Sequence, residues 1–225
     1  TAQTIPIPGN NWLTPFQVPI RHYVNMNRRR PYVTQLTSTL IIWLLGDLSA
    51  QYVAYEPPAP GDAAAVNSED GEDETNTSSG FWAAYDPKRT ARNLLIGGLA
   101  SIPGYRYLLW LGENFNWRSK VLSIGFKVVF NQCTFTPVFN TYFFSMQTIL
   151  TGLTNGTTVT MDDIVERVMH TVPASWRNSW KVWPAVTAFS FWAVPVELRN
   201  VFAGVVAIGW QTYLGLLNST AAKEE

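Results

Sequence analysis

Residues 176–199 read WRNSWKVWPAVTAFSFWAVPVELR, and this stretch decides the class of fold. Trp176, Trp180 and Trp183 recur at i, i+4 and i+7, which on a helix makes one aromatic face. Pro184 and Pro195 bracket ten uncharged residues, and Glu197 and Arg199 follow. Such a run needs an apolar solvent along its sides and a helix that can bend, because Pro195 has no amide proton for the Phe191 carbonyl; residues 184–218 are expected to be either one tilted, kinked helix or a helix preceded by an aromatic interfacial turn. A bilayer supplies that solvent. Tryptophans at one end of an apolar helix fit an interfacial belt, where indole keeps its ring near lipid and its N–H near headgroups.

Outward from this stretch, the 225-residue chain repeats the pattern. Its mean hydropathy is zero, yet charge is strongly segregated. Seven of the sixteen acids lie between Glu56 and Glu74, and residues 128–161 and 200–222 carry no charged side chain. Membrane-crossing segments are predicted near 32–55, 89–111, 121–145 and 184–216. The first holds one charge, Asp47, and a helix of that length extends ~36 Å, enough to cross ~30 Å of hydrocarbon. Asp86 is predicted to cap the second helical segment with Pro87 at its first position, and Pro103-Gly104 and Arg106 interrupt it. The third carries Lys127, Asn131 and Thr134 at i, i+4 and i+7, with Gln132 beside them and a kink expected at Pro137. From Met161 to about Val172 the acids Asp162 and Asp163 open a more charged helix suited to the interface.

The expected fold is therefore all-α: an integral membrane helical bundle of about four transmembrane helices plus an interfacial helix. Residues 1–30 read as an extended lead-in, rich in proline, ending in the basic flank of Arg21, Arg28, Arg29 and Arg30. Residues 31–218 form the membrane domain, interrupted at 56–80 by an acidic low-complexity loop expected to be disordered, and 219–225 are a tail. The basic flank predicts that both termini stay on the side from which the membrane was entered. The lipid bilayer is the expected partner, joined by a second copy of the chain or a larger membrane complex. Zero net charge gives no basis for nucleic acid. One cysteine, Cys133, and two distant histidines, His22 and His170, give no basis for a metal site. No cofactor or catalytic constellation is visible, so no enzymatic activity is expected.

Together the segments resemble the small organellar membrane proteins typified by peroxisomal membrane protein two, the Mpv-seventeen protein and its yeast stress-induced relative. The resemblance rests on Gly46-Asp47 with Gln51, on Asp86, Arg89 and Arg92, and on Lys127, Asn131-Gln132 and Pro137. It continues through Trp183-Pro184, Phe191, Val194-Pro195, Arg199, Trp210 and Tyr213-Leu214. Where that family has Asp-Gln, this chain has Asn131-Gln132, and Thr187 and Ser190 stand for its Gln and Asn after Trp-Pro. The resemblance implies a four-span protein of the mitochondrial inner membrane, or alternatively the peroxisomal membrane, that contributes to mitochondrial membrane homeostasis. It further implies a channel or pore for small solutes, or else a structural or accessory subunit with no transport of its own.

Asp47, Arg106, Lys127, Glu197 and Arg199 are ionisable groups in or near apolar segments, each costly unless paired or wet. With Asn131, Gln132, Thr187 and Ser190 they are the candidate lining of a polar pathway. Lys127 is expected either to favour anions in such a path or to neutralise Asp47 across a helix interface.

Overall fold

The computed structural model describes residues 14–55 and 81–221. The predicted acidic loop at 56–80, the start of the predicted lead-in and the last residues of the predicted tail lie outside them. Among the described residues there are helices and turns and no strand. The helices are α1 (Thr14–Arg29), α2 (Pro31–Ala54), α3 (Phe81–Ala84), α4 (Pro87–Glu113), α5 (Lys120–Cys133) and α6 (Phe135–Asn155). They continue as α7 (Met161–Ser179), α8 (Trp183–Ala193), a 3-10 turn (Val196–Leu198) and α9 (Arg199–Ala221). Helix α2 packs against α1, α4 and α9; α5 lies against α8, and α6 and α7 form a hairpin joined to the rest through α4 and α5.

Local chemistry sets the ends. Asp86 accepts a hydrogen bond from the Arg89 amide at 3.0 Å, as its sequence position predicts, with Pro87 opening α4. Ser119 caps α5, and Thr160 and Asp163 form a reciprocal capping box at α7. Gly156, at φ 69°, closes α6 in the left-handed region that glycine tolerates.

Five expectations need correction. The lead-in is not extended throughout, because residues 14–29 are helical. Tyr23 and Asn27 of α1 bond Gln35 of α2, and these tertiary contacts outweigh the two prolines within the helix. Helix α4 is not interrupted at Pro103-Gly104: proline removes the single bond to the Leu99 carbonyl, and Ser101, Tyr105 and Leu111, all buried, hold the helix on both sides.

The third segment breaks rather than kinks. Thr134, at φ −114° and ψ −65°, separates α5 from α6, three residues before the proline that cannot donate to the Cys133 carbonyl. The fourth segment breaks too, since Val194 ahead of Pro195 is extended at φ −93° and ψ 126°, and the 3-10 turn intervenes before α9. The aromatic face divides in the same way. Trp176 and Trp180 meet edge to face at 6.3 Å, but the chain turns over residues 180–182 and Trp183 begins a new helix.

Burial is inverted relative to a water-soluble protein. Among the described residues the buried apolar set is Ala50, Ile96, Tyr105 and Leu111, whereas fifteen polar or charged residues are buried. Leu45, Leu95, Leu99, Trp110, Val129, Val138 and Trp192 point outward instead. Helices α2 and α4 are each long and apolar enough to cross a membrane, and 28% of each apolar window is buried within the bundle. The core helix of a soluble protein would be mostly covered; these present their apolar side chains to the surroundings. Where α2 meets α4, the Trp43 ring lies so close to Gly97 that a Cβ there would overlap it, which is why that position carries no side chain.

Candidate functional site: a polar interior in three clusters

The first cluster is built on Asp47 of α2, which is 1% exposed. It accepts from Gln51 Nε2 at 2.8 Å, Thr90 Oγ1 at 2.5 Å and Asn93 Nδ2 at 2.7 Å, and pairs with Arg89 Nε at 3.1 Å. Gln51 reaches on to the backbone of Asp86, and Asn93 Oδ1 accepts from Gln147 of α6 at 2.5 Å. Each carboxylate oxygen accepts two bonds, so the charge is compensated and hydrogen-bonded. The partner of Asp47 is Arg89, not Lys127.

The second cluster gathers α1, α2, α4 and α9. Gln35, fully buried, donates to Asn27 Oδ1 at 3.0 Å and accepts from Asn200 Nδ2 at 2.8 Å. Tyr23 joins it, and burial pushes its phenol pKa up. Thr39 and Ser101 share a hydrogen bond at 3.0 Å, and Glu197 is held by Arg28 at 3.0 Å at the rim. Glu197 is among the residues expected from sequence, whereas Asn27, Gln35, Thr39 and Asn200 are not; Gln35 and Thr39, four apart on one side of a span whose single charge is Asp47, are the available signal.

The third cluster lies between α5 and α8. Lys127, 4% exposed, donates from Nζ to the Gly112 carbonyl at 2.9 Å and to Asn116 Oδ1 at 2.7 Å. Its ammonium sits 5.2 Å from the centre of the Phe191 ring, and the Arg199 guanidinium lies 4.5 Å from the same ring. At the other end of α5, Gln132 donates to Ser179 Oγ at 3.0 Å, accepts from Thr136, and its backbone carbonyl accepts from Trp176 Nε1 at 2.7 Å. Lys127 thus meets Phe191 of α8, while Gln132 meets Ser179 at the end of α7. Asn131, one turn beyond Lys127, shares its side of α5, and Thr187 and Ser190 lie on α8, which packs against α5; all three are buried. Among the described residues, Asn131 Oδ1 is buried with no hydrogen-bond partner.

The structure thus brings together Lys127 and Arg199 at the Phe191 ring, puts Asn131 on the Lys127 side of α5 with Gln132 at its far end, and buries Thr187 and Ser190 on the neighbouring α8. Asp47 and Glu197 belong to the other clusters. Thr134 leaves the predicted stripe to bond the Phe130 carbonyl and the Tyr107 hydroxyl. Arg106 is exposed, about 100° around α4 from the buried Tyr105.

A helical bundle with an apolar exterior and a polar interior is an integral membrane protein. The model of the Mpv17 / PMP22 family matches residues 152–215, from the end of α6 into α9 and including the tryptophan-rich stretch. The chain is 27% identical over 202 residues to Protein SYM1 of Gibberella zeae, covering 89% of this chain and 97% of that one. It is 28% identical over 207 residues to Protein SYM1 of Saccharomyces cerevisiae, covering 88% and 89%. Against Protein sym-1 of Neurospora crassa it is 27% identical over 193 residues, covering 84% and 92%. No solved structure matches the chain. Over residues 152–215, and along most of its length to these relatives, the chain resembles the Mpv17 / PMP22 family of membrane proteins.

Proposed function

We propose that this protein is a channel for small solutes in an organellar membrane, with its polar path along the α5–α8 interface, and that it acts without enzymatic chemistry. One observation carries this: Lys127 and Asn131 on one side of α5 and Thr187 and Ser190 on the α8 packed against it are all buried, and among the described residues the Asn131 carbonyl oxygen has no partner. An orphaned acceptor deep in a membrane bundle is costly unless water or solute reaches it. The ammonium of Lys127 uses two of its three donors and adds a fixed positive charge to the same face.

Single-channel recording of the purified protein in a planar bilayer tests the proposal. Wild type is expected to conduct with a preference for anions, and Lys127→Glu to shift the reversal potential toward cation preference. No conductance, or a selectivity unchanged in Lys127→Glu, removes Lys127 from the path. The family resemblance and the basic flank support a four-span arrangement in the mitochondrial inner membrane with both termini in the matrix. Protease that removes the amino terminus from mitoplasts overturns that orientation.

A second reading rests on the other two clusters, whose charges and amides satisfy one another. Polar groups so used hold helices together and leave nothing for a solute. On that reading the protein is a structural or accessory subunit of an inner-membrane assembly, and purified protein in a bilayer stays silent.

A further inference from the structure

Lys127 and Arg199 place two positive charges beside one phenyl ring, and neither has a carboxylate within salt-bridge distance among the described residues. Glu197 is the nearest acid in sequence to Arg199, but its Oε1 is taken by Arg28 Nε at 3.1 Å and Nη2 at 3.0 Å. Asp47 is occupied by Arg89. The two cations therefore repel one another without a protein counter-charge in contact.

The surrounding atoms are arranged for donors, not for neutralisation. Gly112 contributes its carbonyl to Lys127 and, by lacking a side chain, makes room for Arg199: a Cβ there would lie 2.9 Å from Nη1. Arg199 spends Nε on the Val194 carbonyl at 3.2 Å, which leaves the donors of both Nη groups free to chelate. Lys127 retains its third donor. Asn116, exposed, sits on the loop between α4 and α5 and opens the cluster to the bundle's end.

We propose that Lys127 and Arg199, both beside Phe191 and seated around Gly112, form a binding site for one phosphate group at this end of the bundle. The guanidinium meets two phosphate oxygens while the ammonium supplies a single point charge to a third. Loop exposure at Asn116 puts the site within reach of both a phospholipid headgroup and a dissolved phosphate. The site does not depend on conduction, because occupancy is measurable in detergent where no current flows.

The test is a thermal-unfolding titration of the full chain in maltoside detergent with inorganic phosphate, chloride holding ionic strength constant. Wild type is expected to gain a saturable rise in melting temperature, as a ligand of the native state alone must give. Lys127→Gln and Arg199→Gln are each expected to weaken the apparent phosphate affinity by about tenfold. Lys181→Gln, an exposed charge in the turn before α8, is expected to respond as wild type does. Lys127→Arg, which keeps the charge, retains the response and serves if a glutamine variant does not fold.

A second arm places the protein in nanodiscs of phosphatidylcholine and phosphatidylglycerol and reads retained lipid by native mass spectrometry. Phosphatidylglycerol held by wild type, released by inorganic phosphate and lost from both glutamine variants makes the ligand a headgroup. A phosphate response without retained lipid makes it a dissolved phosphate; either result supports the site. No saturable rise in wild type, or an equal rise in Lys127→Gln, Arg199→Gln and wild type, overturns it. So does a loss in Lys181→Gln as large as in the site variants.

Discussion

Asp47 and Lys127 are both nearly inaccessible ionisable groups in apolar helices, yet the protein treats them differently. Asp47 is met by four side chains from its own helix and α4, including a full opposite charge. Lys127 is met by a carbonyl, an amide oxygen and a ring, with a second cation nearby. A closed carboxylate cluster is a clamp, since every member loses its partner if the helices part. An open cationic cluster has spare donors and is a place for something that is not the protein. The same burial thus carries two meanings, and the partners distinguish them.

The sharpest way to break the comparison is to remove the clamp. Asp47→Ala strands Thr90, Asn93 and Gln51 without their acceptor and is expected to cost about 3 kcal/mol of stability. Asp47→Asn, which keeps an acceptor oxygen, is expected to lose roughly half as much; equilibrium unfolding in detergent reads both. Equal losses would show that charge rather than hydrogen bonding holds the cluster.

Next in size is Gly97→Ala, which drives a methyl group into the Trp43 ring and is expected to destabilise by about 1–3 kcal/mol in the same assay. On the open side, Asn131→Leu removes an acceptor that has no donor, so stability is expected to change by less than about 1 kcal/mol, or to rise. Its conductance in a bilayer is expected to fall at the same time. A destabilisation as large as that of Asp47→Ala would mean that Asn131 is a clamp residue after all.

The smallest effect belongs to a carboxylate in neither region. The amide and hydroxyl of Thr160 donate to Asp163 and hold its carboxyl below the usual carboxylate range. A depressed folded pKa stabilises above the unfolded value of about 4, and the contribution is lost as pH falls through the folded value. Hydrogen exchange in the first turn of α7, corrected for intrinsic rates, is expected to lose protection below about pH 4 in wild type and to show no such step in Asp163→Asn.

Much of the architecture was legible because it rests on local chemistry. The charge gap of residues 32–55, the Asp86-Pro87 start and the acids opening α7 each need no distant partner. The burial of Asp47, Lys127, Asn131, Gln132, Thr187 and Ser190 followed from their positions in apolar segments. What was illegible depends on packing. Nothing local to Gln35 announces Asn200, 165 positions away, and mean hydropathy scores an amide the same whether it meets a partner or lipid. A proline marks a place where a helix is weakened, but tertiary contacts decide whether it continues, as at Pro103, or ends, as at Thr134 and Val194. Arg106 was misplaced because a residue's angular position relative to its neighbours, not its residue type, sets which way it faces.

The joint between α2 and α9 also constrains how the protein is made. Gln35 and Thr39 share Asn200, and Arg28 reaches Glu197, so the face of α2 is completed by residues more than 160 positions later. Whatever route the segments take into the membrane, a stretch with buried amides must wait there until the last helix arrives. During that interval Gln35 faces lipid, water or a helper protein, and a chain cut short before Asn200 keeps it there. Such a truncated chain carries the same mark that quality-control systems of membranes can read: an unmatched polar face on an otherwise apolar helix.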